Sequence, residues 1–150
     1  MSVPVKKPRW DRLPPGNAGF YVLVVRLAGE TTARIGALGR RTLSSGLWAY
    51  VGRARRNLRQ RLARYIRGPA ATHWHIDHLL SAGSIAGIYA LAEQRECELA
   101  AELAAARGSQ IIRGFGSSDC RCAGHLVKLP HKVAEPTELG GSLARLAKIL

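Results

Sequence analysis

From Asn57 to Arg67 the apolar residues Leu58, Leu62, Tyr65 and Ile66 recur at helical spacing and form one stripe. Gly68-Pro69 stops the run. A helix of this length cannot bury its stripe alone, so it needs a sheet or a second helix against it. The preceding residues supply the sheet. Residues 47–53, LWAYVGR, read as a strand ending at Gly52, and residues 19–27, GFYVLVVRL, are rich in Val and aromatics and read as another. Gly29-Glu30 reads as a turn, and residues 31–37, TTARIGA, as a strand forming a hairpin with 19–27. Thr72 is placed to cap a short helix, HWHIDHLL, with Ile76, Leu79 and Leu80 inward. Residues 84–92, SIAGIYALA, read as a strand, and an Ala-rich helix from about Glu93 to Arg107 is closed by Gly108. Residues 109–130 mix strand-like and turn-like pieces. The order predicts an α/β (α+β) domain over 19–130, a small mixed, mainly antiparallel sheet flanked by helices. An irregular basic arm (1–18) precedes it, and a tail (131–150) follows in which SLARLAKIL predicts a short amphipathic helix.

Hydrophobic residues make up 47% of the 150, which excludes the composition of a disordered chain and fits one domain. The longest aliphatic stretch near the N-terminus, Tyr21–Val25, is far short of the roughly 20 residues needed to span a bilayer. Cys97, Cys120 and Cys122 are an odd set with no disulfide framework, an expectation of a reducing cytoplasm. The charge is +13, and it is unevenly spread: residues 1–67 hold 15 Lys and Arg against Asp11 and Glu30 only, while 68–150 hold eight of each sign. Such a field draws polyanions, so nucleic acid is the expected partner, ahead of an acidic membrane surface.

Three features carry possible chemistry. Gly19-Phe20-Tyr21 and Tyr50-Val51-Gly52 place two phenols on strands of one sheet, where either could also be simple packing. The run RARRNLRQRLARYIR, 53–67, has seven arginines and no acid. Most of these point away from the apolar stripe, as Arg53, Arg55, Arg56, Arg59 and Arg64 would on a phosphate-binding face. Arg61 lies at the stripe's edge, four residues before Tyr65, where a guanidinium fork can be fixed for a phosphate or can simply snorkel. Third, Glu96 falls beside the Ala92, Leu99, Leu103, Ala106 face of its helix, whereas Glu98 and Glu102 fall outside it. A carboxylate there calls for an arginine partner or a divalent cation.

His73, Trp74, His75, Asp77 and His78 are packed into six residues. A His–Asp pair can orient a neighbour, contact phosphate or make a structural hydrogen bond, and Trp74 can stack on a base or pack. Cys120-x-Cys122-x-x-His125 invites zinc, but its spacing is poor for a knuckle, and Ser117, Ser118 and Asp119 read better as a polar loop with the cysteines as small buried side chains.

On these residues the chain resembles the GIY-YIG nucleases. GFY followed by YVGRARRNLRQRLARY is similar to their paired tyrosine strands and the helix behind them. Over 19–127 it is most similar to an uncharacterised branch of that superfamily, through Tyr50-Val51-Gly52, Trp74-His75-Ile76-Asp77, Glu96-Cys97, and Phe115-Gly116-Ser117-Ser118-Asp119-Cys120-Arg121-Cys122 with His125-Leu126. The resemblance implies a metal-dependent endonuclease acting on DNA rather than RNA, in a setting such as DNA repair. In it Tyr21 and Tyr50 would orient or deprotonate the attacking water, Arg61 would stabilise the scissile phosphate, Tyr65 would support it, and Glu96 would hold Mg²⁺ or Mn²⁺. Arg53, Arg55, Arg56, Arg59, Arg64, Trp74, His75, Asp77, Ser118 and Asp119 would line the nucleic-acid path. The alternative is a non-catalytic nucleic-acid-binding module that keeps the fold and the basic helix.

Overall fold

A computed structural model of the chain describes residues 7–34, 38–68, 75–92, 96–115 and 124–150. Its main sheet is built on β1 (Gly19–Leu27), which lies between β4 (Gly46–Ala54) and β5 (Ser84–Leu91), antiparallel to both. Further strands β6 (Gln110–Ile112), β7 (Leu126–Lys128) and β8 (Ala147–Lys148) complete the order β6-β7-β4-β1-β5-β8. The central place of β1 follows from its sequence. Tyr21 through Val25 are all buried, so both faces of the strand need cover, and only an interior strand gets it.

Alternate residues then build two cores. Tyr21, Leu23, Val25 and Leu27 share one face with Trp48, and onto it pack α1 (Leu58–Arg67) and α2 (His75–Ala82) through Leu58, Leu62, Tyr65, Ile76 and Leu79. Val22, Val24, Ala49 and Val51 lie on the other face under α3 (Glu96–Ala105), which contributes Leu99, Ala100 and Leu103. Burying each such leucine contributes about 2 kcal/mol. The mixed, mainly antiparallel sheet with helices on it is the expected architecture, and β1, β4, β5 and the three helices fall where periodicity puts them.

Two expectations are corrected. The 31–37 segment does not form a hairpin with 19–27. Its described part, β2 (Thr31–Arg34), pairs instead with β3 (Arg40–Leu43) in a separate two-stranded ribbon. Both edges of β1 are taken by strands that bring apolar side chains to both faces, and Thr31–Arg34 has too few to compete. The tail is not an amphipathic helix either. Gly141–Arg145 forms a 3-10 helix, and β8 then pairs with Tyr89 and Ala90. Ile149 N–H donates to the Ile88 carbonyl at 2.7 Å, and Ile88 N–H to Leu150 at 3.0 Å. The open edge of β5 offers these backbone groups, and Leu143, Leu146 and Ile149 become buried as the tail fills it.

The basic arm is likewise part of the body in its described residues. Arg9 N–H donates to the Ile149 carbonyl at 2.7 Å. Asn17, in a left-handed conformation at φ 52, caps α1 from a distance: its Oδ1 accepts the Arg59 N–H at 2.8 Å and its Nδ2 donates to Gln60 Oε1 at 2.8 Å. No acid lies in the first turn of α1, so this cap supplies the N-terminal compensation that the arginines oppose. Replacing Asn17 with Ala is expected to cost about 1 kcal/mol, read as a lower urea midpoint at unchanged slope. Among the described residues no helix is long and apolar enough to cross a membrane.

Candidate functional site

The β1–β4 register sets the centre of the site. Tyr21 stands opposite Gly52, and Leu23 opposite Tyr50. Tyr21 and Tyr50 therefore share one face, with ring centroids 6.4 Å apart. The Tyr21 ring lies across Gly52, and a Cβ built there would land on its phenol. The glycine of Tyr-Val-Gly is thus a matter of space: any side chain would push Tyr21 off the sheet. From α1, Tyr65 completes the group. Its oxygen is 2.7 Å from that of Tyr21, and the rings are 5.8 Å apart. Beyond Tyr50 the row continues to Phe115 at 5.9 Å and from Phe115 to His75 at 5.2 Å, both edge-on.

Burial separates the three tyrosines chemically. Tyr21 is 1% exposed and Tyr65 2%, while Tyr50 is only partly buried. Burial, reinforced by the neighbouring Tyr21 phenol, pushes the Tyr65 hydroxyl far above the usual tyrosine range. It stays protonated at any physiological pH, so Tyr65 can hold a proton in a hydrogen bond but cannot act as a base. Arg61, half-buried on the same helix, carries a nearby positive charge that opposes this shift. Its Nη1 donates to the Arg53 carbonyl at 2.5 Å, which fastens the guanidinium to the end of β4 beside the tyrosines.

The remaining arginines divide. Arg55, Arg56, Arg59 and Arg67 are exposed. Arg59 stacks over the Trp10 ring at 5.2 Å, and Arg53, turned to the opposite face of the sheet, stacks over Phe20 at 5.4 Å. Phe20, Arg53 and Arg55 line an open groove of about 560 Å³ at that end of the sheet. Arg64 departs from the expected phosphate-binding role. Its two terminal nitrogens donate to the two oxygens of Asp77 at 3.0 and 3.1 Å, joining α1 to α2. This hydrogen-bonded carboxylate holds the guanidinium pKa above its ordinary value. Asp77 is 0% exposed and so cannot meet a nucleic acid itself. The pair is a structural tie, and the sequence gives no sign of it because the partners sit on different helices. His75 has its pKa lowered, first by burial and then by His78, so it is neutral at physiological pH.

Glu96 is the first described residue of α3, and its side chain lies outside what the structure describes. Trp74, Ser118 and Asp119, with His73, Cys120 and Cys122, also lie outside the described residues. The start of α3 is nevertheless anchored. Cys97 Sγ is 3.6 Å from His125 Nε2, and the His125 carbonyl accepts the Val51 N–H at 2.9 Å, one residue from Tyr50. Glu98 is exposed, as expected, but Glu102 is half-buried and accepts the Ser142 N–H at 3.4 Å. Among the described residues no three His, Cys, Asp or Glu side chains gather as metal ligands. Mg²⁺ asks less: it keeps several waters and takes one or two carboxylates with the substrate's phosphate oxygens.

Two participants were not legible as such. Phe115 stands in the Phe-Gly-Ser-Ser-Asp segment, where nothing local marks it as the bridge between Tyr50 and His75. Asn17 lies in what reads as an irregular arm, with Pro15-Gly16-Asn17 as its one hint of a turn.

Compared with known protein families, residues 20–146 match the domain of unknown function DUF123. The chain belongs to that family. The DUF123 match runs from the residue before Tyr21 to Leu146, so it takes in the tyrosine row, both arginine-bearing elements and most of the tail that closes the sheet. No curated protein and no solved structure matches this DUF123 chain.

Proposed function

We propose that this DUF123 domain is a GIY-YIG-type endonuclease that hydrolyses phosphodiester bonds in DNA, in a setting such as repair. The observation that carries this reading is the meeting of Tyr21, Tyr50 and Tyr65 beside a half-buried Arg61 fastened to the end of β4. Phosphodiester hydrolysis needs positioning and a positive clamp more than a strong nucleophile. Tyr50, the partly exposed phenol, orients the attacking water. Tyr21 and Tyr65 are positioning residues, since the hydrogen bond between their hydroxyls fixes the Tyr21 ring against which Tyr50 rests. The Arg61 guanidinium balances charge on the phosphate as the water oxygen adds and the bond to the departing sugar oxygen breaks. Glu96 would hold Mg²⁺ or Mn²⁺, which supplies charge stabilisation at the leaving oxygen when bound. Arg55, Arg56 and Arg59 hold the flanking backbone, with DNA favoured over RNA as the partner.

A second reading, a nucleic-acid-binding module without catalysis, draws on the burial of two of the three phenols. The two separate in a cleavage assay on supercoiled, single-stranded and branched DNA, with Mg²⁺, Mn²⁺ or EDTA. Metal-dependent nicking that is lost in Glu96→Ala is the expected result. Salt-sensitive binding without cleavage of any substrate, unaltered in that variant, would leave the binding module.

A further inference from the structure

The β2–β3 ribbon lies outside the main sheet and outside the tyrosine site, and its residues have no part in the proposed chemistry. Its register pairs Thr31 with Leu43, Thr32 with Thr42, Ala33 with Arg41 and Arg34 with Arg40. Leu43 is buried in the same core as Tyr21 and Trp48, and Leu38 packs against that core, which fixes the ribbon to the tyrosine face of the molecule. The face that carries Thr32, Thr42, Arg34 and Arg40 is exposed throughout. The two threonine hydroxyls bond each other at 2.9 Å across the strands. The two arginines stand directly opposite one another, an arrangement that costs stability because like charges are brought together. Arg41 adds a third exposed guanidinium, its Nη1 donating to the Arg40 carbonyl at 3.0 Å. From Arg26 to Arg67 the chain carries a single acid, Glu30, which precedes β2 at the end of the ribbon away from Arg34.

We propose that this ribbon is a second nucleic-acid contact, and that it binds duplex DNA by lying in the major groove. This rests on the nucleic-acid-binding part of the function proposed above and not on cleavage. Two features select the occupant. Like-charged arginines in register, with threonine hydroxyls beside them, match the repeated phosphates and base edges of a duplex. A two-stranded ribbon also fits the B-form major groove, about 12 Å wide, whereas the A-form groove of duplex RNA is too narrow to admit it. The basic helix α1 holds backbone near the tyrosines, and the ribbon extends the footprint onto intact duplex beside it.

The test titrates full-length protein, wild type and Arg34→Thr/Arg40→Thr, with a short DNA duplex, one of its single strands and the matching RNA duplex over a range of salt. The expected variant keeps its melting temperature or gains slightly. It loses about tenfold in duplex-DNA affinity at moderate salt, its salt slope falls by about 2, and its single-strand affinity is unchanged. Unchanged duplex-DNA affinity and slope in the variant, with wild type binding normally, would overturn the ribbon proposal alone. So would equal losses on single strand or on duplex RNA. A wild type that binds duplex through the ribbon yet never cleaves leaves this proposal standing and removes the nuclease reading. A wild type that binds none of the three ligands removes both.

Discussion

Arg61→Ala is expected to lower metal-dependent cleavage by about 10²–10³-fold while leaving the fold intact. The Arg61 guanidinium donates to the Arg53 carbonyl, so on the proposed reading it is held before any phosphate arrives and would spend little entropy on clamping one. On the proposed mechanism its removal would take away charge stabilisation that grows as the phosphate is attacked, so the loss is expected to fall on kcat more than on KM. Binding weakens far less, because Arg55, Arg56 and Arg59 remain on the exposed surface. Arg61→Lys keeps the charge without the planar fork and is expected to recover only part of the rate. The measurement is single-turnover nicking of supercoiled DNA alongside equilibrium binding and a thermal melt. A variant that cleaves within threefold of wild type would remove Arg61 from the chemistry, and one that melts much lower would make it a structural tie instead.

Arg64→Ala, three residues along the same helix, is expected to behave in the opposite way. It should destabilise the domain by about 3 kcal/mol, because Asp77 is wholly buried and loses both hydrogen bonds from its guanidinium partner. For a domain of this size that corresponds to a fall in melting temperature of roughly 6–12 °C. Asp77→Ala is expected to cost less, since the Arg64 side chain is 28% exposed and its charge can turn to water. Arg64→Lys should lie between, with one hydrogen bond in place of two. Urea unfolding of the three variants tests the ranking. Equal midpoints for Arg64→Ala and wild type would mean that the pair contributes no net stability. The salt dependence of DNA binding by Arg64→Ala, at a temperature where it is folded, tests whether Arg64 is tied to Asp77 rather than to phosphate: the slope should stay close to that of wild type.

The contrast between these two arginines shows what sequence could and could not give. Both lie in one basic helix. The stripe of Leu58, Leu62 and Tyr65 was enough to put Arg61 at its edge and next to Tyr65. Nothing local marks Arg64 as different from Arg59, because its partner Asp77 arrives from a separate helix. The tyrosines follow the same division. Their residence on paired strands is legible from strand-like runs that end in Tyr-Val-Gly. That Tyr21 lies over Gly52 and hydrogen-bonds Tyr65 depends on register and on how α1 docks.

The sequence by itself determined the elements whose apolar period is strong and the concentration of positive charge in the N-terminal half. These are local or additive properties: spacing of side chains along one strand or helix, and a sum of charges. The tertiary structure decided what depends on residues far apart in the chain. It turned 31–34 away from β1 and into a ribbon with Arg34 facing Arg40. It drew the tail onto β5 as a strand, where backbone hydrogen bonds outweighed the helical pattern of its leucines. It also brought Asn17 to the start of α1. In each case the deciding partner is a backbone edge, a cap or a charge supplied from elsewhere, and no periodicity within a segment records it.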